Sequence, residues 1–162
     1  MPSPRGREYE VHVEFRAPLA FAYRWCTDYS NDDPALEGSD GARRVLERSA
    51  RRVVYEDLEA TPTGWMWSHW TVRLAPPDRW HGEARGNYRS WSLDYRLSAL
   101  GPARTAFRLK GRRTPMLLGT VNPPKARLER ELTVMWKRLG RALEADYRKS
   151  VRGRRGPSRT RR

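Results

Sequence analysis

The residues that most often bind metals or form disulfides are scarce in this sequence: its 162 residues include one cysteine, Cys26, and three histidines. One cysteine cannot form a disulfide within the chain, and no Cys/His spacing of the zinc-binding type occurs. There is also no glycine-rich loop of the Walker or dinucleotide-binding type. We therefore predict no metal, no cofactor and no nucleotide-phosphate site, and we expect Cys26 to be a buried, unreactive thiol.

Long apolar runs are absent too. No stretch approaches the ~20 apolar residues that a membrane-spanning helix needs. The N-terminal Met-Pro-Ser-Pro-Arg-Gly-Arg has no apolar segment of the secretory type. Together with the unpaired cysteine, this pattern favours a cytoplasmic protein. The chain length fits a single domain with one hydrophobic core.

Acidic residues are in the minority, with 19 against 33 basic residues, so the chain carries a formal charge of +14. Six arginines and no acid fall in residues 152–162, which have no apolar side chain to pack. We predict that residues 1–7 and this tail are disordered and that 8–151 form the domain. The tail could associate weakly with nucleic acid or an anionic membrane. A solvated extension is the simpler interpretation, because no DNA-binding or RNA-binding motif accompanies it.

The sequence does contain a regular succession of strand and helix patterns. Apolar and polar residues alternate over 8–15, which predicts a strand with one buried face. Aromatic residues then recur at every fourth position at Phe21, Trp25 and Tyr29, which predicts a helix. Pro34 is placed to open a second short helix.

Three acids, Asp28, Asp32 and Asp33, lie near this second helix. Their spacing does not match that of a calcium-binding loop. We interpret them as helix-capping residues, because aspartate commonly caps helices. They are therefore not among the predicted site residues.

Six strand-like runs follow, separated by turns that contain proline, glycine or asparagine. This order predicts an antiparallel meander. Counting back from the turn at 61–64 puts Tyr55 opposite Trp70. The same register puts Asp57 opposite Ser68. The predicted strands are 43–48, 52–60, 65–75, 79–86, 90–100 and 104–113.

A long amphipathic helix, 124–151, completes the pattern. Its apolar residues recur with a period of about 3.6 residues, and Trp136 and Tyr147 lie at the border of the apolar stripe. The large apolar surface available to cover this stripe is the inner face of the sheet. The stripe consists of Leu128, Leu132, Met135, Leu139, Ala142 and Leu143.

The space between this helix and the sheet is the predicted binding site. Its wall is apolar and aromatic with few polar points, a composition typical of ligand pockets. A small side chain, Ala84, next to the large Trp70 leaves room for a ligand. The predicted ligand-binding residues are Tyr55, Asp57, Ser68, Trp70, Ala84, Trp91, Tyr95, Phe107, Leu109, Leu132, Met135 and Leu139.

The order of strand, helix, short helix, six strands and long helix resembles the helix-grip, or START-like, fold of the SRPBCC superfamily. The segment from Val13 to Asp28 looks like the superfamily's first strand, followed by Ala-Pro and a helix that ends in aspartate. The resemblance covers about 8–151. It implies an α+β fold in which a curved seven-stranded antiparallel sheet wraps around the long C-terminal helix, with one or two short helices after the first strand. It also implies an enclosed cavity, and it transfers no catalytic residues.

Binding or transport of a lipid, aromatic or polyketide-like molecule is the leading hypothesis for function. The alternative is an enzyme of the polyketide cyclase or dehydratase type that uses a cavity carboxylate, Asp57 or Glu59, as its acid or base. All three histidines lie on the opposite face in the predicted register, which counts against histidine catalysis. A cavity carboxylate could equally pair with an inward arginine such as Arg113.

The same register turns Trp65 and Trp67 outward. Two exposed tryptophans at alternate positions of one strand form an apolar patch of a kind that monomers seldom carry. Aromatic residues are enriched in the cores of protein interfaces. Either the patch is an interface, for which a homodimer through this sheet face is one arrangement, or the register is wrong on this strand.

Overall fold

The structure is a computed structural model that describes residues 6–116 and 121–154. Seven strands and three helices lie within these ranges. None of the described helices is long and apolar enough to cross a membrane. The strands are β1 (Arg7–Phe15), β2 (Ala42–Arg48), β3 (Arg52–Thr61), β4 (Gly64–Ala75), β5 (Arg79–Gly86), β6 (Arg89–Gly101) and β7 (Arg104–Pro115). The helices are α1 (Leu19–Cys26), α2 (Asp33–Glu37) and α3 (Lys125–Arg154).

The seven strands form one curved antiparallel sheet in the order β1-β7-β6-β5-β4-β3-β2. Strands β2 to β7 are a meander of consecutive hairpins. Strand β1 joins this meander at β7 and becomes the edge of the sheet. Helix α3 packs on the inner face, which is the architecture that the order of elements predicted.

The predicted register between the strands is confirmed. Tyr55 lies opposite Trp70, and Asp57 lies opposite Ser68. Trp70 in turn lies opposite Ala84 on β5. Side chains alternate across a strand, so one register error would have turned this whole inner face outward.

Helix α3 is fixed along the edge strand β1 by two hydrogen bonds to backbone. The backbone N–H of Glu10 donates to Glu129 Oε1 at 2.8 Å, and the N–H of Arg16 donates to Glu144 Oε1 at 2.8 Å. An edge strand leaves every second N–H without a strand partner. The two helix carboxylates satisfy such donors and hold the helix beside the strand.

Phe107 on β7 lies at the centre of the core. Its ring centroid is 4.0 Å from that of Trp136 on α3 and 5.6 Å from that of Phe15 on β1. Trp136, predicted at the border of the helical stripe, is only 7% exposed. It follows Leu132 by four residues and precedes Leu139 by three, which is the spacing of one helical face. The buried stripe is therefore centred on Trp136, and the predicted border position was wrong.

The ends of the domain differ slightly from the prediction. Helix α3 continues through Arg154, so 152–154 are helical instead of belonging to a disordered tail. Gly153 does not stop the helix, because a glycine costs a helix only about 1 kcal/mol relative to alanine. At the other end, Arg7 belongs to β1. The remaining parts of the two predicted disordered segments, 1–5 and 155–162, lie outside the described residues.

Gly140 permits the close crossing of α3 over β1, and its substitution tests this packing. A Cβ at this position would lie 2.9 Å from Cδ1 of Phe15, whose side chain is 1% exposed and cannot move aside. We expect Gly140→Ala to lower the free energy of unfolding by about 1–3 kcal/mol.

The matched control is Gly153→Ala in the same helix, where an added Cβ meets nothing within 4 Å. It should leave stability unchanged or raise it by up to about 1 kcal/mol. Urea unfolding followed by tryptophan fluorescence measures both variants. Equal stability of the two would contradict the close contact between α3 and Phe15.

Candidate functional site

A cavity of about 330 Å³ lies between the sheet, α3 and the segment that carries α1 and α2. Residues of β3, β4, β6 and β7, joined by Tyr9 of β1 and Arg43 of β2, form one wall, and α3 forms the other. The polar residue Glu59 also lies on the lining. The predicted ligand-binding residues that line the cavity are Tyr55, Asp57, Ser68, Trp70, Trp91, Tyr95, Leu109, Leu132, Met135 and Leu139.

Two predicted residues, Ala84 and Phe107, are not on the cavity lining. Ala84 is 3% exposed and is flanked in the sheet by Trp70 and Trp91, whose larger side chains leave it behind the wall. Phe107 is 1% exposed because Trp136 packs directly on its ring. Both residues support the wall without reaching the cavity.

Three aromatic rings form a stack along one side of the cavity. The ring centroid of Tyr55 is 5.7 Å from that of Trp70, with an interplanar angle of 10°. It is 5.4 Å from that of Tyr29, with an angle of 29°. The indole of Trp70 is held further by its Nε1, which donates to Ser68 Oγ at 3.0 Å. The stack gives this side of the cavity an aromatic wall.

Arg43 on β2 is the centre of an ionic cluster beside this stack. Its Nε and one Nη donate to the two carboxylate oxygens of Asp57 at 2.8 and 2.9 Å. Its Nη atoms also donate to Asp33 at 2.8 Å and to Glu37 at 3.3 Å. The guanidinium carbon lies 4.3 Å from the centre of the Tyr55 ring. One buried arginine thus joins α2 to β2 and β3.

This arginine remains charged inside the protein. Burial lowers the pKa of Arg43, but its hydrogen bonds with Asp57 and the neighbouring acidic groups outweigh burial and raise the pKa above its usual value. The two-bond geometry with Asp57 is the strong form of an arginine–carboxylate pair. The cluster therefore acts as a fixed ionic joint at one end of the cavity.

Glu37 is the member of the cluster that changes charge near neutral pH. Burial raises its pKa to about 7 against the opposing effect of Arg43, and the charges of Asp57 and Asp33 add to the rise. Burial also raises the pKa of Asp33. Glu37 also lines the cavity.

The sequence interpretation missed this cluster. The acid near the second helix that we took for a cap, Asp33, binds Arg43. The predicted inward partner of a cavity carboxylate was Arg113, whereas Asp57 pairs with Arg43. Counting back from the turn between β2 and β3 does not predict the Arg43–Asp57 pair, because a β-bulge near Leu46 shifts the register between the two strands by one residue.

The two carboxylates predicted as acid or base are both engaged. Asp57 uses both oxygens on Arg43. Glu59 accepts a hydrogen bond from Ser39 Oγ at 2.6 Å. Cys26, which also lines the cavity, has a pKa raised by burial and by the charge of Asp33, as expected for an unreactive thiol.

The histidines take no part in the cavity. His12, His69 and His81 lie on the outer face of the sheet and pair with neighbouring acids there. Trp65 and Trp67 also project outward, with exposed fractions of 62% and 40%. The outward tryptophans and the histidine positions are as the predicted register required.

No protein-family model matches the sequence, and no curated protein matches it. Solved structures do match. The Zhui aromatase/cyclase from a Streptomyces species is 15% identical with a TM-score of 0.70, and the alignment covers 94% of this chain and 100% of that one. A START superfamily protein from Mycobacterium smegmatis is 14% identical with a TM-score of 0.63, covering 88% of this chain and 97% of that one.

A third match is the di-domain aromatase/cyclase StfQ from the steffimycin biosynthetic pathway. It is 15% identical with a TM-score of 0.63, and the alignment covers 85% of this chain but 45% of that chain. At identities this low, the likeness establishes a shared fold, and a shared fold does not fix the ligand or the reaction.

The raised pKa of Glu37 predicts a pH dependence of stability. The usual pKa of a glutamate is 4.5, and that of Glu37 in the folded chain is about 7. Between pH 4.5 and about pH 7, the folded chain holds a proton on Glu37 that the unfolded chain has released. The contribution of Glu37 to the free energy of unfolding is therefore greatest below its unfolded pKa, and it falls as the pH rises through the folded pKa. Glu37→Gln removes this loss. From about pH 5 to about pH 8, its free energy of unfolding relative to the native chain should rise by on the order of 1–3 kcal/mol.

Urea unfolding at a series of pH values makes the measurement. Glu47→Gln, which removes one acid from an exposed position, controls for the change of net charge. A Glu37→Gln profile that stays parallel to that of the native chain would contradict the burial of this carboxyl.

Proposed function

The chain has the START-like, helix-grip fold, and on this basis we propose that it binds a hydrophobic small molecule in the cavity beneath α3. The ligand is a lipid, an aromatic compound or a polyketide-like molecule with at least one planar part. Contact with apolar walls supplies most of the affinity, since burial contributes roughly 25 cal/mol per Å² of apolar surface. The polar and charged groups on the lining orient the ligand.

The observation that carries this proposal is the stack of Tyr29, Tyr55 and Trp70 beside an unfilled volume. Leu132 and Met135 of α3 line the same cavity. Seven tryptophans could have filled the interior, but their packing leaves about 330 Å³. A space of this size between aromatic and aliphatic walls suits an apolar molecule better than it suits water.

Filling the cavity should abolish binding. We expect Met135→Trp to weaken the binding of anthracene carboxamide, a neutral planar probe, at least tenfold, because the new indole occupies the ligand's space. Val134→Trp is the matched control: it adds the same side chain one residue away, where Val134 is 56% exposed.

Isothermal titration calorimetry of the two variants and the native chain measures the effect. Circular dichroism confirms that both variants are folded. Unchanged affinity in folded Met135→Trp would refute the cavity as the binding site.

A second candidate is an enzyme that cyclises or dehydrates its ligand by acid–base catalysis. The observation that favours it is Glu37, a cavity carboxyl with a pKa of about 7. A pKa near the operating pH is what an acid or base needs. Asp57 and Glu59 remain the alternatives predicted from the sequence. Asp57 uses both oxygens on Arg43 and Glu59 accepts a short bond from Ser39, whereas Glu37 accepts one longer bond from Arg43, at 3.3 Å.

Turnover of a linear poly-β-ketone, followed by the absorbance of an aromatic product, tests the second candidate. If Glu37 moves the proton, Glu37→Gln should lower turnover roughly a hundredfold or more. Glu59→Gln should retain it. Full turnover in Glu37→Gln would exclude Glu37, and a loss confined to Glu59→Gln would assign the role to Glu59.

Three sequence predictions stay predictions. One is the homodimer through the outer-face patch of Trp65 and Trp67, next to which Leu58 is 42% exposed. The second is weak association of 152–162 with nucleic acid or an anionic membrane. The third is the cytoplasmic location.

A further inference from the structure

Two arginines, Arg89 on β6 and Arg113 on β7, line the cavity four or more strands away from Arg43 in the sheet order. Trp91 lies directly opposite Arg113 in the register. Side chains alternate along a strand, so Arg89 and Trp91 project from the same face. The guanidinium carbons of Arg89 and Arg113 lie 5.2 and 5.3 Å from the centre of the Trp91 ring. Two positively charged guanidinium groups thus lie close to the same indole ring.

Neither arginine forms an ion pair within the part of the chain that the structure describes. The arginines on the outer face of β7 behave differently. Arg104, Arg108 and Arg112 each pair with a glutamate on the neighbouring strand β1. Arg89 and Arg113, the inward pair, therefore lack the ion pairs that neutralise the outer-face arginines of β7.

The two acids that act most on Arg89 and Arg113, Glu59 and Glu131, bond to other residues. Burial lowers the pKa of Arg89 and the charge of Glu59 only partly opposes this, and Glu59 accepts its hydrogen bond from Ser39. Glu131 acts likewise on Arg113, and it pairs with Arg127 at 2.8 Å, one turn earlier on α3. Glu59 and Glu131 therefore reduce the positive potential around Arg89 and Arg113, but neither acid bonds to the guanidinium group of either of these two arginines.

The pair is also partly withdrawn from water. The Nε of Arg113 is buried and meets no hydrogen-bond acceptor among residues 6–116 and 121–154. Burial, reinforced by the nearby charge of Arg89, lowers the pKa of Arg113 to about 10. A buried charged donor without an acceptor destabilises the fold. An anionic group on a ligand would remove this cost.

The segment that precedes α3 bonds to one of these arginines. Asn122, three residues before the helix, donates from Nδ2 to the backbone oxygen of Arg113 at 3.0 Å. This bond ties the segment that leads into the 30-residue helix α3, whose N-terminal end is positive, to the backbone of β7. Arg89 and Arg113 therefore give this end of the cavity a positive potential, and the segment leading into α3 is tied to the backbone of Arg113.

We propose that Arg89 and Arg113 bind the carboxylate of an amphiphilic aromatic ligand whose planar body lies in the cavity. This assignment rests on the proposed function and names the class of ligand within it. Arginine side chains match a carboxylate by paired N–H bonds. The moderating charges of Glu59 and Glu131 suit a group with one negative charge better than a phosphate with two.

The proposal also orients the ligand. Arg43 at the other end is already neutralised by Asp33, Glu37 and Asp57, so that end does not attract an anion. The carboxylates around Arg43 instead accept hydrogen bonds from a hydroxyl or amine of the ligand. The ligand therefore places its carboxylate at Arg89 and Arg113 and its donor groups toward Glu37.

Two matched probes test the proposal: anthracene carboxylate and anthracene carboxamide, substituted at the same ring carbon. They have nearly the same shape and differ in charge. The full-length chain should bind the carboxylate at least tenfold more tightly in calorimetry at low salt. Arg113→Gln should bring the ratio of the two affinities close to one, and Arg89→Gln should do the same independently. Arg112→Gln, an exposed outer-face arginine of the same strand, should keep the ratio of the native chain.

The outcomes separate the two proposals. If neither probe binds, both the proposed function and the arginine site are refuted. In a second outcome, the carboxamide binds, Met135→Trp blocks its binding, and the carboxylate binds no more tightly than the carboxamide. That outcome supports the cavity as the binding site and refutes the arginine site. The arginine site also falls if both glutamine variants fold and keep the preference for the carboxylate. Should Arg113→Gln fail to fold, Arg89→Gln and Arg113→Lys decide, the latter being expected to retain most of the preference.

Discussion

The path of α3 across the sheet is the constraint on which the rest of the structure depends. The helix runs beside the edge strand β1, where Gly140 lets it touch Phe15, and it reaches inward through Trp136 to Phe107. It does not approach β3 or β4 as closely within the described residues. Since the sheet curves around the helix, the space beside Trp136 is bounded without being filled. The cavity is therefore a consequence of how one helix is anchored, and not of any single lining residue.

The two ends of this cavity differ in charge for reasons of packing. At one end, Arg43 ties the short helix α2 to the sheet and is surrounded by acids. At the other end, Arg89 and Arg113 share Trp91 without a bonded acid in the described part of the chain. A molecule in the cavity would meet aromatic faces along its length and opposite polarity at its ends. Such a difference in charge would orient a bound ligand in the way we propose.

Alternation and turn length were sufficient to predict much of this fold. The four-residue turn at 61–64 determined that Tyr55 faces Trp70, and most of the predicted wall follows from that pairing. The β-bulge near Leu46 was not predictable, because the unbroken count from the hairpin puts Arg43 opposite Leu58 instead of Asp57. Ionic groups in short helices were also missed, since an aspartate that caps a helix and one that binds a distant arginine look the same in a sequence. The role of Trp136 could have been found from its spacing to Leu132 and Leu139.

Anomalous diffraction from a crystal of the protein with a brominated anthracene would test the binding cavity most directly. A bromine peak between the Tyr55–Trp70 stack and Met135 of α3 is the expected result, with the helix still in contact with Phe107. A peak only on the outer face beside Trp65 and Trp67, or none within the cavity, would contradict the conclusion that this space receives an apolar ligand.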